Sequence, residues 1–278
     1  MTRLTASLYS YWAVRAELGE ARLWLERAVD VAPPGLVRRK LIAGAAHVAG
    51  RQGEYERAIT LFEQALQLNR DAGDTFGTAI CLHALSSPII GLGDHARASA
   101  LLDEAQELFE EFDDWRRAAA VIHDKGLLAL QEGDTRQARD LLERELSILR
   151  ARGRGYVSHT GNALADLGLV ALVDGRDDDA SESLRGAITI CKRLGDRANV
   201  AECLAWLAAV AQRRGDLDRG ARLAAAADRL FRELDILSAP YARDLYDATV
   251  SAARKRGEAW EEGSSMTVDE AVDEAVSL

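Results

Sequence analysis

Proline is scarce, with four in 278 residues. A proline lacks an N–H and crowds the preceding turn, so it ends or kinks a helix; this scarcity, with few β-branched runs, favours an all-helical chain. Cysteine is also sparse. Cys81, Cys191 and Cys203 show no CxxC spacing and read as small core residues of a reducing compartment. No stretch approaches the roughly 18 apolar residues that a spanning helix needs. Met1 to Leu18 carries Arg3, Arg15 and Glu17 and has no continuous apolar centre, so it is not a signal peptide. The expected location is cytoplasmic, with no membrane partner. A positive excess is missing too: 35 Lys and Arg against 45 Asp and Glu give a net charge of −10. An acidic surface repels phosphate, which disfavours direct nucleic-acid binding. The chemical signatures of many enzymes are absent: there is no GxxxxGK[ST], no HxxxH pair, no glycine-rich nucleophile elbow and no cofactor fingerprint. The chain is therefore expected to be non-catalytic and to hold neither cofactor nor metal.

What is present is a recurring phrase. In Gly53 to Leu66 a turn glycine is followed by an acid, then a small residue five positions on, then a large apolar residue and another small one. Gly93-Asp94 leads in the same way to Ala98, Leu102 and Ala105, and Gly133-Asp134 to Ala138 and Leu142. Gly175 leads to Ala180, Leu184 and Ala187, and Gly215-Asp216 to Gly220, Ala224 and Ala227. A degenerate copy opens the chain with Ala21, Leu25 and Ala28. A period of roughly 40 residues marks a solenoid, in which each unit buries its apolar face only against its neighbours. Each residue type in the phrase has a packing cause. The glycine reverses the chain after a helix, the acid favours the next helix N-terminus, and the small residues let two helices approach.

The expected pairs are 1–31, 36–51 with 54–70, 75–91 with 94–111, 115–131 with 134–150, 157–173 with 176–193, and 197–213 with 216–234. Pro33-Pro34-Gly35 ends the first, and Arg150 to Gly155 forms a loose basic linker. Ser238-Ala239-Pro240 breaks the pattern. A helix at about 241–256, a loop containing Gly263-Ser264-Ser265 and a short final helix starting at the Thr267–Glu270 capping box follow. The expected division is an array over 1–237 and capping helices over 238–278. Ser86-Ser87-Pro88 interrupts the first helix of the third pair, either as a kink or early helix end, or as a bend that opens the inner wall to a ligand.

These phrases resemble tetratricopeptide repeats with a lengthened period, Gly53 to Ala65 being the closest copy. Tyr11 to Arg15 with Glu20 to Ala28, the turns Arg70 to Asp74 and Lys192 to Asp196, and the closing stretch from Ala221 through Trp260 to Val272 narrow the likeness. In that order they resemble the repeat region of large bacterial regulators of the STAND ATPase class, LuxR-type ones included. The resemblance implies an all-α, right-handed superhelix of about six tetratricopeptide-like hairpins with a C-terminal cap, sensing an effector or protein. An ATPase core preceding this region and a helix-turn-helix domain following it belong to that family, and neither is in this sequence.

In such arrays the first helix of each pair lines the concave face. Counting back from the turn glycines puts His47, His83 and His123 there. Ligand groups about 8–10 Å apart on successive helices are too far for one metal ion. Lys125 and Glu145 replace packed residues in the fourth pair, as a snorkelling lysine and a splayed helix end, or as a polar pocket with His123, Asn162 and His159. The candidate ligand-binding residues are thus His47, His83, Ser87, His123, Lys125, Glu145 and Asn162, with a protein, peptide or small effector in the groove. Two other readings stay open. Ser86-Ser87 near His83, or Asp124 near His123, would serve catalysis. Tyr9, Tyr11, Trp12, Phe109, Phe112 and Trp115 would serve a homodimer or docking platform if exposed, though their helical spacing makes core the default.

Overall fold

In a computed structural model of the chain, the described residues are 18–152, 157–234, 236 and 242–278. The expected first helix with Tyr9, Tyr11 and Trp12, the linker centre at 153–155 and the break at 238–240 lie outside them. The described residues form fourteen helices and no strand. In order these are α1 (Leu18–Val31), α2 (Leu36–Arg51), α3 (Tyr55–Asp71), α4 (Thr75–Gly91), α5 (His95–Glu111), α6 (Trp115–Gln131), α7 (Thr135–Ala151), α8 (Val157–Val173), α9 (Asp177–Leu194), α10 (Arg197–Arg213), α11 (Leu217–Leu234), α12 (Arg243–Arg254), α13 (Gly257–Ser265) and α14 (Val268–Val276). None is long and apolar enough to cross a membrane.

The turn chemistry explains the register. Gly93 adopts φ 80°; its N–H reaches the Ile90 carbonyl at 2.9 Å, and the Asp94 N–H reaches Ile89 at 3.2 Å. That left-handed closure ends α4 and satisfies its last carbonyls. Asp94 then caps α5 by accepting from the Arg97 N–H, as Asp134 caps α7 from Gln137 and Asp196 caps α10 from Asn199. The turn between α5 and α6 has no glycine, and Asp113 supplies the positive φ of 53° there. Asp tolerates that region because its short side chain bonds locally, at some cost relative to Gly.

The repeated small residues sit where two helices touch: Ala58, Ala98, Ala138 and Ala180 are all fully buried. At the corresponding place in α11, Gly220 faces the Ala208 carbonyl, which a β-carbon would approach to 3.1 Å. Pro88 lies buried inside α4, and the helix continues past it to Gly91.

The chain divides into two compact units, Met1–Leu128 and Ala129–Leu278, the change falling within α6. In the first, Phe62, Leu82, Leu102 and Phe109 anchor the core of α2 to α6. Phe109 is fully buried, while Phe112 is exposed and stacks edge-on to Phe76. A node between hairpins joins Arg39 to Asn69 at 2.6 Å and to Asp74 at 3.0 Å, and buried Asn69 donates to the Ala65 carbonyl. In the second unit, Leu169, Leu184, Leu204 and Leu230 anchor the core of α8 to α11. All three cysteines are buried and free.

The C-terminal segment departs from expectation at one place. Residues 257–265, expected as a loop, form α13. Gly263, read as a loop residue, is instead a contact residue. A β-carbon there would lie 2.2 Å from the Arg222 carbonyl oxygen, so only glycine lets α13 lie on α11. α14 opens with the expected capping box, Thr267 and Glu270 bonding reciprocally.

Candidate functional site

The first helices of successive hairpins carry a polar row in each unit. In the first unit the row crosses α2, α4 and α6. His83 Nε2 lies 2.7 Å from Asp124 Oδ2, joining α4 to α6. His47 on α2 packs edge-on against Phe62 with ring centres 4.9 Å apart. Burial, and then the nearby His83, push the His47 ring down to about 4, so it is neutral at pH 7. Ser87 is exposed on α4, and the adjacent Ser86 hydroxyl donates to the His83 main-chain carbonyl at 2.7 Å. His123 is partly buried on α6, and it is the neighbouring Asp124 that reaches His83. Lys125 turns away toward the preceding second helix, where its Nζ meets Asp103 at 2.6 Å and Gln106 at 3.2 Å on α5.

In the second unit the row crosses α8 and α10. Asn199 donates to Asn162 at 3.2 Å and to Asp196 at 2.7 Å, linking the two helices through an amide pair. Glu202 occupies in α10 the place, counted from the turn glycine, that Asn162 holds in α8; Asp166 lies one turn further along α8. Burial first, then Asp166 and Asp196, push the Glu202 carboxyl up to about 7. Among the described residues no ion pair reaches Glu202. Glu145 is buried in α7, and His159 is exposed near the start of α8.

The structure thus brings His83 together with Asp124, with His47 close enough to His83 to feel its charge, and Asn162 together with Asn199. Glu202 and Asp166 escaped the sequence reading because carboxylates on a 29% charged chain look like solvated surface. The signal was available, since counting back from Gly215 and Gly175, as for the histidines, places both on the first-helix stripe. Chemically, the second row offers amide donors and acceptors beside the Glu202 carboxyl. That set suits a peptide main chain and a cationic group.

A tetratricopeptide repeat model matches residues 42–75. No curated protein matches the sequence. Among solved structures, NprR in complex with its cognate peptide NprX is 12% identical, with a TM-score of 0.67 over 100% of this chain and 78% of that one. A Rap protein complexed with Competence and Sporulation Factor is 14% identical, with a TM-score of 0.66 over 95% of this chain and 77% of that one. BtubC from P. vanneervenii is 20% identical, with a TM-score of 0.59 over 69% of this chain and 80% of that one. The fold is a tetratricopeptide-like helical repeat, and its structural neighbours include regulators of the Rap and NprR type.

Proposed function

We propose that the chain is a non-catalytic, cytoplasmic module that binds a peptide or protein segment. We further propose that it serves as the sensor region of a regulator of the STAND ATPase or LuxR type that its sequence resembles. The observation that carries the binding reading is the α8–α10 face: an Asn162–Asn199 amide pair beside the Glu202 carboxyl, which burial first and then Asp166 and Asp196 push up to about 7. A cationic peptide side chain pairs with the Glu202 carboxylate, and the amides satisfy main-chain groups. Support comes from the fold's neighbours, since NprR holds the peptide NprX and a Rap regulator of plasmid pLS20 holds the Phr* peptide.

The test is fluorescence anisotropy with acetylated hexapeptide pools sorted by net charge. The cationic pool is expected to bind and to release a proton near pH 7, read by calorimetry in buffers of different ionisation enthalpy. Glu202→Gln together with Asp166→Asn is expected to cost at least about tenfold in affinity, roughly the scale of one charge-assisted contact. Equal binding of acidic and cationic pools, or no effect of the double variant, overturns the reading.

A further inference from the structure

Among the described residues, the second unit presents two repeat-equivalent grooves on its second-helix side, and only one of them is filled. α14 packs on α9, α10 and α11. Its small apolar residues Ala271, Val272 and Ala275 are buried there. Acids on its two edges meet basic walls: Lys192 on α9 bridges Asp269 at 3.1 Å and Asp273 at 3.2 Å, and Arg222 on α11 bridges Glu274 at 2.7 Å. Arg219 adds bonds to Ser277 and to the Glu274 carbonyl.

One hairpin earlier, α7 and α9 wall an open groove of about 720 Å³ floored by α8. Aligning Ala138 with Ala180, and Ala180 with Gly220, places Arg150 on Lys192, Asp179 on Arg219 and Glu182 on Arg222. The floor corresponds as well, Leu164 and Leu167 aligning with Leu204 and Leu207. The latter two are fully buried beneath the tail side, whereas Leu164 and Leu167 are only partly buried. Glycines draw the floor toward one wall: at Gly168 a β-carbon would come within 2.5 Å of Leu184 Cγ, and at Gly161 within 3.0 Å of Ile190. The open groove therefore keeps the shape and apolar floor of the filled one. Its charges differ, since the α7 wall stays basic at Arg150 while the α9 wall has become acidic at Glu182, Asp179 there being paired with Arg176 at 2.7 Å.

We propose that the α7–α9 groove is a docking site for an amphipathic helix of a partner protein, with small apolar residues on its buried face, an acid facing Arg150 and a base facing Glu182. The mode is helix in groove, in which apolar anchors supply affinity and edge charges set register. The chain's own α14 from a second copy fits poorly, because its Glu274 edge would meet Glu182. This site is separate from the α8–α10 face and stands whether or not that face binds peptide.

The probe is the segment Thr267 to Leu278 carrying Glu274→Lys, held helical by a lactam on its solvent face, titrated into the full chain by anisotropy. It is expected to bind at least tenfold tighter than the unmodified segment. Arg150→Glu is expected to weaken it at least tenfold, and Asp269→Lys with Asp273→Lys in the probe to restore binding to that variant. Gly186→Leu, whose first added carbon meets only ordinary contact with Leu164 at 3.5 Å, fills the groove and is expected to abolish binding with an unchanged circular dichroism melt. Binding weaker than about 1 mM, or indifference to Gly186→Leu, overturns the proposal. A wild-type dimer by light scattering that Gly186→Leu converts to monomer also overturns it, by assigning the groove to a second copy.

Discussion

The first-helix faces of the two units are built alike but carry titratable groups shifted in opposite directions. In the first, a partly buried neutral imidazole, His47, sits near a His83–Asp124 pair. In the second, the Glu202 carboxyl is pushed up by burial and by Asp166 and Asp196. One fold thus gives two surfaces with opposite proton linkage. His47 is held down to about 4 from an ordinary value of 6.5, so the unfolded chain binds its proton first. That contribution to stability is present above pH 6.5 and is lost as pH falls toward 4. Glu202 is raised from 4.5 to about 7, so the folded chain binds its proton first. Its contribution is present below pH 4.5 and is lost as pH rises through 7.

The largest expected effect follows from Glu202. Glu202→Gln removes the ionisable group and is expected to stabilise the second unit at pH 8 by up to about 3 kcal/mol, at about 1.4 kcal/mol per pKa unit. Hydrogen exchange in α8 and α10, corrected for intrinsic rates, is the readout, and unchanged protection at pH 8 contradicts the assignment. His47→Gln is expected to act on the first unit in the opposite direction. It flattens the acid-side loss of protection in α2 and α4 between pH 6.5 and 4, worth at most about 3 kcal/mol. Part of this is offset at every pH by the weaker packing of an amide on Phe62. If both variants changed the same unit, the comparison would collapse.

Smaller changes sharpen it by leaving both responses alone. Asp113→Gly relieves a left-handed backbone and is expected to raise stability by about 0.5–1 kcal/mol at every pH, read as a shift in urea midpoint. Lys125→Leu removes an ion pair whose Asp103 partner is 56% exposed, so the expected loss is under about 1 kcal/mol. A double-mutant cycle with Asp103→Asn measures it.

Much of the fold could be read from residues. The glycine-acid-small phrase places α2 to α11 to within a residue or so, because turn chemistry and helical periodicity are local. The capping box of α14 was legible for the same reason. The helix at 257–265 was not, since Gly257 and Gly263 speak locally for a loop. Only the backbone of Arg222, distant in sequence, makes Gly263 a packing residue. Asp113 was missed as a turn centre because no glycine marks it. In the candidate site, counting from turn glycines placed His47, His83 and His123 on first helices, and Asn162 entered as a member of a possible polar pocket. The partners of His83 and Asn162, Asp124 and Asn199, depend on how neighbouring hairpins pack, and side-chain reach across helices has no sequence period.

The sequence by itself determined an all-helical repeat, its turns, its helix caps and the stripe of each first helix, all of which follow from short-range backbone preference and 3.6-residue periodicity. Tertiary structure alone decided which charges meet. It paired Lys125 with Asp103, left Glu202 near neutral among acids, and laid α14 into one groove while the preceding one stayed open. Those outcomes depend on burial and on distances between helices far apart in the chain, where desolvation and Coulomb energies are set.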